Sequence, residues 1–517
     1  MPPARATVPA PLPDCTPLFD AAAMREADRR AGEDHAIPSI LLMERAGLAS
    51  AEAALGAFPG SRAALVVVGP GNNGGDGMAV ARHLAEAGWE VEVAAPGGRA
   101  PETPDGAAMA AIAASLGIRV VPLDTGRPAG ERVVVDALLG TGARGAPRGE
   151  AAGAVEWMAA HDGPVVSLDV PSGVDAGSGR VEGAAVRAGM TVTYHGDMVG
   201  LWVAPGRGHA GRVVVADIGI PGAVALPPTA WLVGAGAVAA VPRKGEAGDK
   251  YAAGAVLVVA GSPGLTGAAS LAARATLRAG GGLTVVAVPA EVQPAVAAHL
   301  LEVMCAPLPD RDGHLAAESV ERVESEARRA SALAIGPGLG RAECTTEALL
   351  QILDRVALPA VLDADGLWHL GDAPERLARR PAPTVITPHA GEAARLLGRS
   401  RDEVEAGRLD AARELARRSG AVALLKGPGT IVASPGGDVA VNAGGTPALA
   451  TAGTGDVLTG TVAALLAKGM DPFRAAAAAV AAHARAGELA DRGDGTIASD
   501  VLEALPAALR PPSSPPR

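Results

Sequence analysis

Lysine, aromatic side chains and cysteine are all scarce in this chain. Of its 517 residues 45 are Lys or Arg, and only Lys244, Lys250, Lys426 and Lys468 are lysines. Positions that need only positive charge have gone to arginine, so an isolated lysine is informative. Aromatic residues make up 2%, which leaves Ala, Val and Leu to build the cores. Cys15, Cys305 and Cys344 are too few and too widely spaced for a disulfide framework or a metal-ligand pattern; a stapled scaffold is excluded and a reducing cytoplasm is expected. No apolar run reaches the roughly 20 residues that span a bilayer, and the alanine-rich stretch 475–482 runs into His483 and Arg485. A basic stripe is also missing: with 56 acidic residues the formal net charge is −11, against a nucleic-acid binder. The opening MPPARATVPAPLPD lacks the pattern of a secretion signal, and its prolines predict a loose tail.

What is present is a long alternation of strand-like and helix-like segments. Val-rich runs at 65–68, 91–94, 120–121, 133–137, 165–168 and 213–218 are separated by helical patterns such as 105–116 and 151–160. That alternation predicts a mostly parallel sheet covered by helices. After Pro221 the composition turns to Ala, Gly and Pro, and a charge cluster at 243–250 marks a domain boundary. A second series follows at 256–260, 283–288, 332–335, 360–362, 384–386 and 422–425, then two helices at 456–466 and 472–490. The chain is therefore two α/β domains, which its length also requires.

Chemistry concentrates at strand ends. GNNGGDG, Gly71 to Gly77, follows the first strand, with a helix expected to begin near Gly77; its glycines permit close approach and its amides suit a phosphate. Two further strands end in DALLGTGARG from Asp136 and LDVPSGVD from Leu168. In a parallel sheet the carboxyl ends share one rim, so Asn73, Asp136, Asp169 and Ser172 are expected to converge. Amide and hydroxyl oxygens with one carboxylate suit a weakly held cation.

In the second half, NAGGTPALATAGTGDVLTG precedes a helix, and Gly453, Gly455 and the helix amides can face transferring phosphate oxygens. Asp456 there can take a proton from an attacking hydroxyl or simply cap the helix. KGPGT, Lys426 to Thr430, closes a strand with a lysine before two glycines, a place where an ammonium reaches phosphate. GPGLG at Gly336 to Gly340 and TPHAGE at Thr387 to Glu392 also follow strands, and His389 and Glu392 are either part of the same cleft or a surface pair.

With Met43-Glu44-Arg45-Ala46-Gly47, the first-half strings GNNGGDG, LLGTGARG and DVPSG resemble the NAD(P)H-hydrate epimerase family over residues 15–222. The resemblance implies a Rossmann-like α/β/α sandwich that interconverts the R and S forms of C6-hydrated NADH and NADPH. It implies that Asn72, Asn73, Gly74, Gly75, Asp76, Gly140, Thr141, Gly142, Ala143, Arg144, Gly145 and Ala146 line the ligand, that Asn73, Asp136 and Ser172 hold a potassium ion, and that Asp169 contacts the hydrate as acid or base. Met198 stands where that family has a lysine, and no lysine precedes Lys244.

The second-half strings resemble the ADP- or ATP-dependent NAD(P)H-hydrate dehydratases, a ribokinase-like group, over residues 228–510. Phosphorylation of the C6 hydroxyl of the S hydrate followed by loss of phosphate is implied, with magnesium on the nucleotide. Ala268, Gly338, His389 and Asp456 would contact the hydrate, Asp456 catalytically; Lys426, Gly427, Pro428, Gly429, Thr430 and Gly455 would contact ADP or ATP. Asp249-Lys250-Tyr251 stands where His-Lys-Gly is common, and Ala390 replaces a usual proline. The expected partners are the two hydrated cofactors and the nucleotide, with no nucleic acid or membrane, and the chain is expected to form a homo-oligomer. The competing reading is a ribokinase-like sugar or vitamin kinase fused to a non-catalytic nucleotide-binding or sensing domain.

Overall fold

The computed structural model describes residues 8–126, 129–245 and 250–511. Residues 1–7 of the expected tail, and 246–249 of the charge cluster with Asp249 of the variant motif, lie outside the described residues. The described residues divide into two compact units: 8–9 with Pro17–Ala230, and Ala10–Thr16 with those from Trp231 to 511. The loose-tail expectation fails over 10–14. Leu12 is 3% exposed among Val233, Ala237 and Val238, and Asp14 Oδ2 accepts from Gly236 N at 2.7 Å. A buried leucine and a satisfied carboxylate outweigh the prolines.

In the first unit seven parallel strands lie in the order Val120–Pro122, Glu90–Ala95, Ala63–Val68, Val133–Ala137, Val165–Leu168, Met190–Tyr194, Arg212–Ala216. Counted along the chain this is 3-2-1-4-5-6-7. The order reverses between Ala63–Val68 and Val133–Ala137, where such sheets open a crevice at the carboxyl edge. Three elements escape the sequence reading: the helices Ala21–His35 and Ser39–Ala57 and the strand Met190–Tyr194. Asp20 starts the first of these by accepting from Ala22 N and Ala23 N, each at 2.9 Å.

The expectation that the glycine run is a turn with a helix from Gly77 is corrected. The helix spans Asn72–Glu86, so the run is its first turn and a half. The glycines serve close packing. A Cβ on Gly74 would lie 2.0 Å from Gly69 O, one on Gly75 2.7 Å from Met43 Sδ, and one on Gly77 2.5 Å from Ala137 Cβ. The MERAG string has the same cause: a Cβ on Gly47 would lie 2.3 Å from Ala79 Cβ, and Glu44 is bound by Arg82 and His83.

The second unit repeats the plan. Its parallel strands run Met304–Leu308, Leu283–Pro289, Ala255–Val259, Ala332–Ile335, Ala360–Leu362, Thr384–Ile386, Val422–Leu425, again 3-2-1-4-5-6-7. Antiparallel Ile431–Ala433 and Val439–Asn442 then extend the sheet; both are too short to stand out in sequence. Helices Thr454–Ala467 and Pro472–Ala490 match the expected segments to within two residues, and small side chains let them pack tightly in an alanine- and valine-built core. No helix among the described residues is long and apolar enough to cross a membrane.

One of the tightest approaches is at Gly460, where an added Cβ would lie 2.2 Å from Ala272 O on the facing helix Thr266–Arg278. Gly460→Ala is expected to lower unfolding free energy by about 1–3 kcal/mol, read as a lower urea midpoint; an unchanged midpoint would show that this helix pair is loosely packed.

Candidate functional site

Two rims carry the polar residues. In the first unit Asp136 ends strand Val133–Ala137 with no exposed surface. It accepts from Ser172 Oγ at 2.6 Å, Ser172 N at 2.8 Å, Ser167 Oγ at 2.8 Å and Leu138 N at 3.3 Å. Burial nevertheless holds its carboxyl above the usual range, these donors offsetting only part of that cost. Ser172 Oγ also accepts from Leu139 N at 2.9 Å.

Next along that loop is Gly140, where an added Cβ would stand 2.7 Å from Asp169 Oδ2 and 3.2 Å from Asn73 Cβ. Asn73, Asp136, Asp169 and Ser172 therefore gather around one short loop, as anticipated. Asn73 is 8% exposed, and neither its amide oxygen nor its amide nitrogen has a partner. An orphaned buried amide beside a buried carboxylate is costly unless something fills the space between them. An oxygen-seeking cation fits this donor set. Among the described residues no cluster of three or more His, Cys, Asp or Glu is arranged for a metal.

Asp169 adopts φ +65° just past its strand, a conformation rare for a residue with a side chain. It accepts from Thr141 N at 2.7 Å, and burial raises its carboxyl. Asp76 is raised well above the usual range by burial and by the charges of Asp169 and Asp28. Asp28, although it keeps exposed surface, is pushed up to about 6 by the desolvation of its carboxyl and by Asp169. Tyr194, hydrogen-bonded to Ser50 at 3.0 Å, also feels Asp76 and Asp169. Asp28 and Tyr194 escape the sequence reading, since no turn or glycine marks them.

The remaining expected contacts separate. Gly74 and Gly75 face packed neighbours, Asn72 is exposed and Asp76 half-buried. Past Thr141, Gly142, Arg144 and Ala146 are exposed, while Ala143 and Gly145 border a small cavity of about 70 Å³ with Asp175 and Arg180. Met198, expected at a catalytic position, is fully buried among Val170, Ala176 and Leu201.

In the second unit a buried ion pair organises the rim. Lys426 Nζ donates to Asp363 Oδ1 at 2.8 Å and lies 3.9 Å from Glu392 Oε2. Thr459 Oγ1 donates to Asp363 Oδ2 at 2.6 Å. Burial alone would raise Asp363, but Lys426 and the hydroxyls of Thr459 and Thr387 hold it below the usual carboxylate range. The same burial opposes the Lys426 charge, and Asp363 and Glu392 overcome it. A Cβ on Gly455 would lie 3.5 Å from Lys426 Nζ, so the GTGD turn and the KGPGT loop meet. Asp456, in the first turn of its helix, is pushed up to about 7, chiefly by burial and then by Asp363, with Lys426 opposing and Asp365 adding. Its pKa is the reverse of what a simple helix cap would have.

The other expected residues border this rim. A Cβ on Gly338 would lie 3.1 Å from Ala268 Cβ, and Ser262 Oγ donates to Gly338 O at 2.9 Å. His389 caps helix Ala390–Leu397: its Nδ1 accepts from Gly391 N at 3.0 Å and Glu392 N at 3.2 Å, while Glu392 Oε2 accepts from His389 N at 2.8 Å. A neutral His389 therefore carries its proton on Nε2, and the ring is largely exposed.

Asp363 also escapes that reading, although LDADG obeys the strand-then-Asp rule used for Asp136. Arg408 has no sequence signal at all. Its guanidinium, 1% exposed, donates to Leu425 O at 3.4 Å and Lys426 O at 3.1 Å. Gly427, at φ +137°, has no room for a Cβ, which would lie 2.8 Å from that guanidinium. Of the other lysines, Lys468 donates to Pro242 O at 2.8 Å and Lys250 lies over the Tyr251 ring.

Comparison with known proteins gives a consistent picture. Residues 256–507 match a family described as NAD(P)H-hydrate dehydratase, and 39–199 one described as YjeF-related protein N-terminus. The chain is 40% identical to the bifunctional NAD(P)H-hydrate repair enzyme Nnr of Moorella thermoacetica over 95% of its own length and 96% of the relative's. It is 38% identical to the Nnr protein of Salinibacter ruber over the same shares. Among solved structures, the ADP/ATP-dependent NAD(P)H-hydrate dehydratase of Bacillus subtilis is 32% identical, covering 53% of this chain and 95% of that one, with a TM-score of 0.46.

The carbonyls that Arg408 holds belong to the loop carrying Lys426. Arg408→Ala is expected to destabilise the second unit by about 2–4 kcal/mol and to speed amide hydrogen exchange at residues 427 and 429–430; unaltered exchange there would mean that the loop does not depend on the guanidinium.

Proposed function

The chain belongs to the bifunctional NAD(P)H-hydrate repair enzyme family, and on that premise we propose how its parts divide the work. The protein repairs hydrated nicotinamide cofactors. Residues 15–222 are the epimerase domain, interconverting R and S hydrates at C6, and 228–510 are the ADP- or ATP-dependent dehydratase domain acting on the S form. Hydration creates both epimers, so a stereospecific dehydratase needs the first activity to supply its substrate.

The observation that carries the dehydratase reading is Asp456, a carboxylate with proton affinity tuned to about 7 beside Lys426 and the Gly453–Gly455 turn. Asp456 takes the proton of the C6 hydroxyl while that oxygen attacks the terminal phosphorus of the nucleotide. Lys426, Gly427, Pro428, Gly429, Thr430 and Gly455 seat the nucleotide, with the Lys426 ammonium offsetting phosphate charge. Ala268, Gly338 and His389 orient the hydrate, His389 offering its Nε2 proton. The ring nitrogen lone pair then expels phosphate from C6, and loss of a proton from C5 to solvent forms the C5–C6 double bond and restores the reduced ring. Magnesium bound with the nucleotide would supply charge neutralisation, and the Glu392 carboxylate near Lys426 would be a donor to hold it.

In the first domain Asn73, Asp136 and Ser172 would hold potassium, which supplies a fixed positive charge; the orphaned Asn73 amide supports this. Asp169 is the acid or base at the hydrate, and Asn72, Asn73 and Asp76 with Gly140 to Ala146 line it, Gly74 and Gly75 packing the helix behind them. Burial of Met198 in an apolar cluster means that position contributes no proton, so Asp169 works with Asp28, Asp76 and Tyr194 around it. Exposed Leu41 and Leu48, seven residues apart on one helix, support a homo-oligomer, and three free thiols support a cytoplasmic setting.

The test supplies separated R and S hydrates with magnesium, potassium and ADP or ATP. The S hydrate is expected to regain reduced-nicotinamide absorbance with release of inorganic phosphate. A stable phosphorylated product would instead mark a simple kinase. Asp456→Asn should lose most turnover and keep nucleotide binding; Asp169→Asn should slow use of R to the spontaneous rate and leave S repair intact. Because Asp456 acts as the carboxylate, and its raised pKa keeps it protonated below about 7, kcat/KM on S hydrate should rise with pH through about 7 and level off above it. A flat profile between pH 5 and 8 would remove its role as base.

A further inference from the structure

Beside His389 the second unit opens a pocket of about 460 Å³ lined by Arg341, Asp365, Trp368, Glu392 and Arg395. That is room for a nucleoside phosphate. Two guanidiniums share one ring: Arg395 Cζ lies 4.7 Å and Arg341 Cζ 5.5 Å from the Trp368 centroid. Each guanidinium gains a cation–π contact with the indole, and together they bring two positive charges to one wall of the pocket. The pocket's carboxylates offset only part of that charge. Asp365 accepts from Gly340 N at 3.0 Å and reaches the exposed Arg341 only at 3.5 Å. Glu392 is engaged by His389 N and faces Lys426. Arg395 has no carboxylate partner among the described residues.

The shelf is also rigid. Trp368 sits on helix Asp365–Leu370, and the next residue, His369, is fixed on both sides: its Nδ1 meets Thr346 Oγ1 at 2.7 Å and its Nε2 meets Gly340 O at 2.8 Å. Planar guanidiniums both stack on purine rings and grip phosphate with two donors. An arginine beside an adenosine site is how a ribose 2′-phosphate is accommodated elsewhere. The KGPGT loop already serves the phosphoryl-donor nucleotide, which leaves this pocket, contiguous with His389, for the distal half of the other substrate.

We propose that Arg341, Trp368 and Arg395 form a subsite for the adenosine 2′-phosphate end of the hydrated dinucleotide, so that the dehydratase prefers hydrated NADPH to hydrated NADH. Trp368 provides the stacking surface, and Arg395 and Arg341 pair with the dianionic phosphate. The assignment rests on the dehydratase reading of this unit.

The experiment compares kcat/KM for the S forms of the two hydrates in the full-length protein, wild type against Arg395→Gln and Arg341→Gln. The wild type should favour the NADPH hydrate, and each variant should lower that preference about tenfold, the loss of one charged hydrogen-bonded contact, through KM for the NADPH hydrate. An unchanged preference, or a raised KM for ADP in its place, overturns the subsite. Independently of turnover, adenosine 2′,5′-bisphosphate should quench tryptophan fluorescence in the wild type and not in Trp368→Phe; equal quenching in both overturns it as well. If neither hydrate is repaired by the wild type, the dehydratase reading fails, and the bisphosphate titration still decides the pocket.

Discussion

A buried carboxylate that must be matched by fixed partners governs both rims. Asp363 lies at a strand end, at a depth where an unpaired charge would be prohibitive. The Lys426 ammonium and the Thr459 hydroxyl meet its two oxygens, tying the strand end, the KGPGT loop and the helix after the GTGD turn to one point. Asp456 lies in the field of that pair, and its proton affinity is raised by burial and then by the Asp363 charge. Arg408 holds the loop from behind through the carbonyls of Leu425 and Lys426. Asp136 is the counterpart in the first unit, matched by two serines and two amides rather than by an ammonium.

That difference suits the two chemistries. Phosphoryl transfer gathers negative charge and needs an ammonium held ready to meet it. In the first unit burial raises the Asp169 carboxyl, which favours a group that can hold or release a proton. Two sheets with the same 3-2-1-4-5-6-7 order thus present different side chains at equivalent edges. The fold provides the rim, and the residues ending each strand decide what happens there.

The strand cores are legible because buried parallel strands leave uninterrupted apolar runs. The loops after them are legible because a glycine cluster directly following such a run marks backbone that something else must approach closely. Lysine scarcity makes Lys426 stand out, whereas Lys468 binds a backbone carbonyl and Lys250 covers a tyrosine ring. The GNNGGDG run misleads in one respect. Glycines demanded by helix packing look, in sequence, like glycines demanded by a turn, and only the neighbours of Gly74, Gly75 and Gly77 separate the two.

By itself the sequence determined the alternation of strand and helix, the division into two α/β units, and the short-range strings at each strand end, since these depend on periodicity and on residues adjacent in the chain. Tertiary structure alone decided that Asp363 clasps Lys426 from 63 residues away, that Arg408 lies beneath the same loop, that Met198 faces an apolar cluster, and that two arginines converge on Trp368. Those relations follow from which strand ends and helices become neighbours in space, and no local pattern records a partner that folding brings from a distant segment.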